Sequence, residues 1–253
     1  MDKFPLKNLE ARHSVRSFAS QPLSEEIRNT LNAETTFVNT HEAGLNFQLV
    51  FDSDDPFRGF GRSYGLFRDA RNYLACVTDP SFPYTSERAG YFAQKFVMNA
   101  LGRGLGSCFV GATYSRKHMD VELRVYEDVP FIVCFGYPEE SATGFIAKLS
   151  ARMMHTHHRT PREFFDGDDE AYSRGLDLYP WLPVALKALA CAPSARNRQP
   201  VRISIDNEGV LTARTISHDT FSDVDLGIGK FNFASVTPGD WEWGQGGRFW
   251  PQV

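Results

Sequence analysis

The stretch YLACVTD, residues 73–79, runs apolar almost without a break. Strands of that kind are buried on both faces, so other layers must cover them. VPFIVCFGYP, 129–138, repeats the pattern and stops at Gly-Tyr-Pro. Between the two, TSERAGYFAQKFVMNALGRG, 85–104, sets apolar residues at helical spacing, with Thr85 or Ser86 as cap and Gly102 and Gly104 as stop.

The remaining elements arrange themselves around this frame. Pro5 opens a short helix over 5–11, and Ser24 caps a second over roughly 24–34, with acids in its first turn. NFQLVFD, 46–52, reads as a strand, SCFVGA as a short strand or turn, and SRKHMDVELRV as helical from Ser115. Residues 138–172 are polar, rich in His and Arg, and without period, as in an extended arm with one short helix. WLPVALKALAC, 181–191, is helical, and VRISIDNEGVLTARTI, 201–216, is a hairpin turning at Asn207-Glu208-Gly209. DVDLGIGKFNFASV, 223–236, is a helix with an internal Gly-x-Gly. The tail beyond it holds three of the four tryptophans. This later block echoes the earlier one: FQLVFD against VRISID, and QKFVMNALGRG against GKFNFASVTPG.

With 42% hydrophobic residues among 253, the chain can bury a core, and global disorder is excluded. A net charge of −4 and the lack of a basic block argue against nucleic acid. Cys76, Cys108, Cys134 and Cys191 form no CxxC pair and read as buried free thiols of a reducing compartment. No 18-residue apolar run occurs and the first residues lack an apolar leader, so the expectation is a soluble, cytoplasmic protein with no membrane partner.

Chemistry concentrates in a few stretches. In RHSVRSF, an extended chain points Arg12, Ser14 and Arg16 the same way, and two guanidinium forks with a hydroxyl suit a phosphate dianion. A solvated basic patch at a helix end accounts for the same residues, and spacing alone leaves both readings open. GRGLGSCFVG, 102–111, follows a helix rather than a strand, so it is no dinucleotide fingerprint, and it lacks a Walker lysine. APSARNRQP, 192–200, offers Asn197 and Gln199 on a loop stiffened by Pro193 and Pro200, able to read the edge of a heterocycle or to serve as a plain connection. His155, His157 and His158 lack acids or cysteines at matching spacing, so metal is not expected there. Asp223 and Asp225 read as ordinary acids of a first helical turn. No GxSxG elbow or Cys–His motif suggests a nucleophile.

Jointly these stretches resemble the FMN-dependent nitroreductase family. RHSVRSF is similar to its N-terminal Arg-x-Ser-x-Arg motif, GLGSCFVGA to its Gly-rich segment along the flavin, VPFIVCFGYP to its strand ending in Gly-Tyr-Pro, and APSARNRQPV to its Ala-Pro-Ser-x-x-Asn-x-Gln-Pro motif. HHRTPREFF is a weaker echo of a basic segment. The resemblance implies an α+β fold, a mostly antiparallel sheet flanked by helices. It implies FMN reduced by NADH or NADPH, passing electrons to a small acceptor such as a nitroaromatic or quinone. Flavin storage, or reduction of a non-nitro substrate as in dehalogenation, are the alternatives. Arg12, His13, Ser14 and Arg16 would meet the phosphate, with Arg159 beside them. Leu105, Gly106 and Ser107 would border the flavin, and Pro193, Ser194, Ala195, Asn197 and Gln199 would meet it from the later block. No side-chain acid or base is assigned to the chemistry, which belongs to the flavin.

The layout departs from the family in one respect. Where the Ala-Pro-Ser motif usually stands, this chain has ETTFVNTHEAGLNF, and the motif moves to the later block. That resembles an internally duplicated, permuted subgroup. The expected organisation is residues 1–137 as a first half, 138–180 as a connecting arm, and 181–253 completing one composite site. A monomer acting as a pseudo-dimer follows from that reading.

Overall fold

The computed structural model describes residues 3–57, 66–139 and 159–252. The chain forms two compact units. One comprises Arg12–Thr85 and Lys95–Met154, the other Met1–Ala11, Ser86–Gln94 and His155–Val253. They are called here the first and second unit.

In the first unit, β1 (Gln48–Val50), β2 (Asn72–Ala75), β3 (Gly106–Val110) and β4 (Ile132–Gly136) form an antiparallel sheet in the order β1-β2-β4-β3. Every residue of β2 and β4 is buried, as their unbroken apolar runs require. The helix α1 (Leu6–Ala11) belongs to the second unit, α2 (Glu25–His41) to the first. Ser24 caps α2, accepting from the Ile27 N–H. The helix runs seven residues past the expected end because Leu31, Thr35 and Val38 continue one buried stripe. Asn39 then ties its last turns to the strand entry, donating to Phe47 O (2.8 Å) and accepting from Phe47 N (2.7 Å).

The long helix α3 (Thr85–Gly102) gives Ser86–Gln94 to the second unit and its later turns to the first. Its N-cap is neither Thr85 nor Ser86. Tyr84 holds that place in the left-handed region (φ 58°), with no side-chain cap, and Thr85 is buried. The expected helix from Ser115 is also absent. Only Arg116–His118 make a 3₁₀ turn. Beyond it, side chains take the backbone groups a helix would have used. Asp120 N donates to Tyr73 Oη (2.9 Å), and Gln48 bridges Glu122 through both its N–H (2.9 Å) and its carbonyl (2.6 Å).

The second unit holds α4 (Asp169–Leu178), α5 (Leu182–Ala190), α6 (Ser222–Ser235) and the strands β5 (Val201–Ile205), β6 (Leu211–Thr215), β7 (Gly239–Trp241) and β8 (Gly247–Pro251), in the antiparallel order β5-β6-β8-β7. The β5–β6 hairpin pairs Val201 with Thr215 and Ile205 with Leu211, and Gly209 takes φ 86° in the turn. The tail, given no element by sequence patterning, is the β7–β8 hairpin.

Helix α6 is buried on every side except at Asp223. Its Gly-x-Gly follows from that. A Cβ on Gly227 would lie 1.8 Å from Glu87 O, and one on Gly229 would meet Leu189 and Val201 at 2.9 Å. On the facing turns of α3, a Cβ on Gly90 would lie 2.2 Å from Val224 O. The two helices therefore touch backbone to backbone. Around them pack Leu186, Leu189, Leu226 and Phe233, closed by Trp241 and Phe249 with ring centroids 4.9 Å apart.

Candidate functional site

In the first unit, Arg12–Phe18 lies extended along the free edge of β3. Ser14 bridges Ser107 in parallel, and Val15 N donates to Ser107 O (2.9 Å). The run continues against residue 68: Arg68 N donates to Arg16 O (2.9 Å), and Phe18 N to Arg68 O (3.0 Å). Alternation then does what the sequence pattern requires. Val15 and Ser17 turn inward, and Arg12, Ser14 and Arg16 stay half-buried on the other side, with His13 exposed.

Gly106 is what lets this segment approach. A Cβ there would lie 2.6 Å from Val15 Cγ2. Gly104 takes φ 78° with nothing near its Cβ position, the ordinary end of a helix. Leu105 is buried at 1% exposure and belongs to the core. Ser107 has its carbonyl committed to Val15.

The two guanidinium groups and the Ser14 hydroxyl are felt at one place. Cys108 pairs with Cys134 across β3 and β4, and Cys134 Sγ donates to Cys108 O (3.5 Å). The Cys108 thiol is drawn down to about 7, first by its hydrogen bond with Cys134, and further by the Arg16 charge, a hydrogen bond with Ser14, and the Arg12 charge. Burial pushes the Cys134 thiol the other way. The expectation of buried free thiols holds for Cys76, Cys108 and Cys134, whereas Cys191 is partly exposed.

In the second unit, Pro193–Gln199 makes a tight turn between α5 and β5. Arg196, Asn197 and Gln199 all have positive φ (53°, 54° and 50°). Left-handed backbone costs a non-glycine residue about 1–2 kcal/mol, so something must hold each one. Ser194 Oγ accepts from Gln199 N (2.8 Å), and Gln199 Nε2 donates to Ala190 O (3.3 Å). Arg202, buried and over the Phe164 ring, donates to Gln199 O (2.8 Å). Arg198 pairs with Asp219. The Ala195 N–H points at Asp225, 3.0 and 3.2 Å from its two carboxylate oxygens.

Asp225 does stand in the first turn of α6, as expected, but it is 4% exposed and faces this turn. Burial, with Asp219 adding to it, pushes its carboxyl up to about 7 against the Ala195 N–H and the Arg198 charge. Asp223 instead accepts from Gln245 (2.9 Å). Sequence reasoning missed the roles of Asp225 and Arg202, since only the pattern DVD was visible and its partner lies 30 residues away.

Arg159 lies in the second unit, 4.0 Å from Glu163. His155, His157 and His158 lie outside the described residues. Among the described residues no three His, Cys, Asp or Glu side chains are grouped to hold a metal, and no helix is long and apolar enough to cross a membrane.

Each unit offers its own donor set. In the first unit, two half-buried arginines and a hydroxyl in one row suit a phosphate, and in the second unit a fixed turn carrying carboxamides suits a polar ring edge.

Known proteins similar to the chain place its fold and its family. The crystal structure of a "putative nitroreductase" from Thermotoga maritima MSB8 has the same fold, with TM-score 0.62 and 18% identity over 96% of this chain and 91% of that one. An FMN-dependent nitroreductase from Clostridium difficile R20291 has TM-score 0.44 and 17% identity over 61% of this chain and 100% of its own. A nitroreductase with bound FMN from Bacteroides fragilis NCTC 9343 has TM-score 0.43 and 15% identity over 54% and 89%. No curated protein matches. The model of the family described as "Putative TM nitroreductase" matches residues 6–236, a span that includes the extended arginine segment and the left-handed turn, and the chain belongs to that family.

Proposed function

We propose that the protein is an FMN-dependent oxidoreductase of the nitroreductase type. It would take electrons from NADH or NADPH and deliver them to a small acceptor such as a nitroaromatic or a quinone. The observation that carries this reading is the Arg12–Ser14–Arg16 row, fixed by main-chain pairing to the edge of β3. A row of two guanidinium forks and a hydroxyl on one side of a strand-paired segment suits a dianion.

Arg12, Ser14 and Arg16 would hold the phosphate, with His13 beside them and Arg159 as a further cation. Main chain at Leu105, Gly106 and Ser107 would border the cofactor. Pro193, Ser194, Ala195, Asn197 and Gln199 would meet its ring. FMN, when bound, supplies the hydride and electron chemistry. The chain's own residues bind it, fix its orientation and set the polarity around it, and none is assigned a proton transfer. One flavin per chain is the proposed stoichiometry, in a monomer.

The absorption spectrum of the purified protein, followed by FMN titration and steady-state NADH and NADPH oxidation with added acceptors, tests the proposal. Flavin binding with acceptor-dependent turnover is expected. Bound flavin that neither nucleotide reduces would leave a storage role, and failure to bind FMN would remove the flavin reading itself.

A further inference from the structure

The Ser194–Gln199 turn contains three non-glycine residues in the left-handed region, yet its own side chains supply only part of what holds it. One lock comes from helix α6. The Asp225 carboxylate is buried and reaches Ala195 N with both oxygens, and Ala195 stands one residue before the first left-handed position. The other facing charges are Asp219 and Arg198, already paired with each other. A lone buried carboxylate aimed at one backbone N–H is an expensive way to build a helix start, because burial works against its ionised form. A serine or asparagine would serve α6 at lower cost. What the carboxylate adds is a charge-assisted grip on the turn.

We propose that Asp225 is a positioning residue, which holds the Ser194–Gln199 turn in its left-handed form so that Asn197 and its neighbours are preset for a ligand's polar edge. The ligand in question is the flavin, so this inference rests on the reading given above. The residue touches no ligand itself, and its influence passes through Ala195.

Three proteins test it: wild type, Asp225→Asn and Asp225→Ala. The asparagine keeps an acceptor for Ala195 and can donate its own N–H₂ toward Asp219. The alanine keeps neither. The first measurement is amide hydrogen exchange at residues 195–199 in the flavin-free protein. Exchange should speed at least tenfold in Asp225→Ala and by less in Asp225→Asn, which keeps a neutral acceptor. The second is FMN affinity by fluorescence quenching, which should fall about tenfold or more in Asp225→Ala as the turn loses its preset form, with part of that loss recovered in Asp225→Asn. The third is Tm at pH 8. Removing a carboxylate that burial disfavours should leave Tm within a few degrees, so affinity and stability separate.

Unchanged exchange in Asp225→Ala overturns the proposal, as does a large fall in Tm with unchanged affinity. If the wild type does not bind FMN, the flavin reading fails, and the exchange data still decide whether Asp225 holds the turn.

Discussion

Lys230 Nζ lies 2.5 Å from Glu87 Oε1, with the two side chains 0% and 2% exposed. The pair is fully furnished: Lys230 also donates to Glu242 O (2.8 Å) and Gly244 O (2.9 Å), and Glu87 accepts from Gly244 N (2.5 Å). Burial pushes the carboxyl up and the ammonium down, so each needs the other. Lys230→Met should cost about 3–5 kcal/mol, because it strands a buried carboxylate. Lys230→Met combined with Glu87→Gln should recover part of that loss. Denaturant unfolding of both variants measures the difference.

The contact between α3 and α6 leaves no room for a methyl group. Gly227→Ala places a carbon 1.8 Å from Glu87 O, a backbone atom that cannot step aside. A loss above about 4 kcal/mol is expected, enough to leave little folded protein. Soluble yield and Tm report it. A fully stable Gly227→Ala variant would contradict the backbone-to-backbone crossing.

Gly106 and Gly104 should answer differently to the same substitution. Gly106→Ala collides with Val15 and lifts the arginine segment from β3, costing about 1–3 kcal/mol and weakening phosphate binding. Gly104→Ala meets no neighbour and bears only the strain of its positive φ, about 1–2 kcal/mol, with the arginine segment left in place. Inorganic phosphate or FMN titration, read beside Tm, separates the two.

FMN should bind more tightly than riboflavin by at least tenfold. Each charge-assisted hydrogen bond from Arg12, Ser14 or Arg16 to phosphate contributes about 1.5–3 kcal/mol, and riboflavin accepts none of them. Arg16→Ala should abolish most of that preference and shift stability by only about half a kcal/mol, since Arg16 pairs with Arg68 through its main chain. Equal affinities for the two flavins would place the phosphate elsewhere.

Asp225 sets a stability trend with pH. Its folded value is raised to about 7 from an ordinary 3.8, so the folded protein holds a proton that the unfolded chain releases between those values. The associated stability is fully present below about pH 4 and is lost as pH rises through 7. Relative to Asp225→Asn, the wild type should therefore gain Tm on going from pH 8 to pH 5. A flat difference over that range would show that the carboxyl titrates in its usual range.

Local signals were readable where one window of sequence held both partners. Ser24 and Ile27 stand three residues apart, Gly209 closes its own hairpin, and the runs of β2 and β4 state their burial outright. Signals failed where the partner was remote. Residues 119–122 have an adequate helical composition, yet Tyr73 and Gln48 capture their backbone. The later turns of α2 hold the β-branched Thr35 and Val38, whose burial overrides their weak helix preference. The site divides in the same way. The alternation of Arg12, Ser14 and Arg16 was visible at once, and the grip of Asp225 on Ala195 was not.

The second unit gathers pieces from both ends of the chain. Phe4 packs on Phe231 (5.8 Å), its N–H reaches Ser235 O (3.2 Å), and Glu10 pairs with Lys187 (2.7 Å). All residues of the first unit lie at or before residue 154, so during synthesis they have been made while the ribosome is still reading the 99 residues from 155 to 253. At roughly 5–20 residues per second, that gap lasts about 5–20 s. Throughout it, α1 and the Ser86–Gln94 turns of α3 have been made but their partners have not. A ribosome stalled in that interval carries a nascent chain whose α1 and Ser86–Gln94 segments still await the residues they pack against.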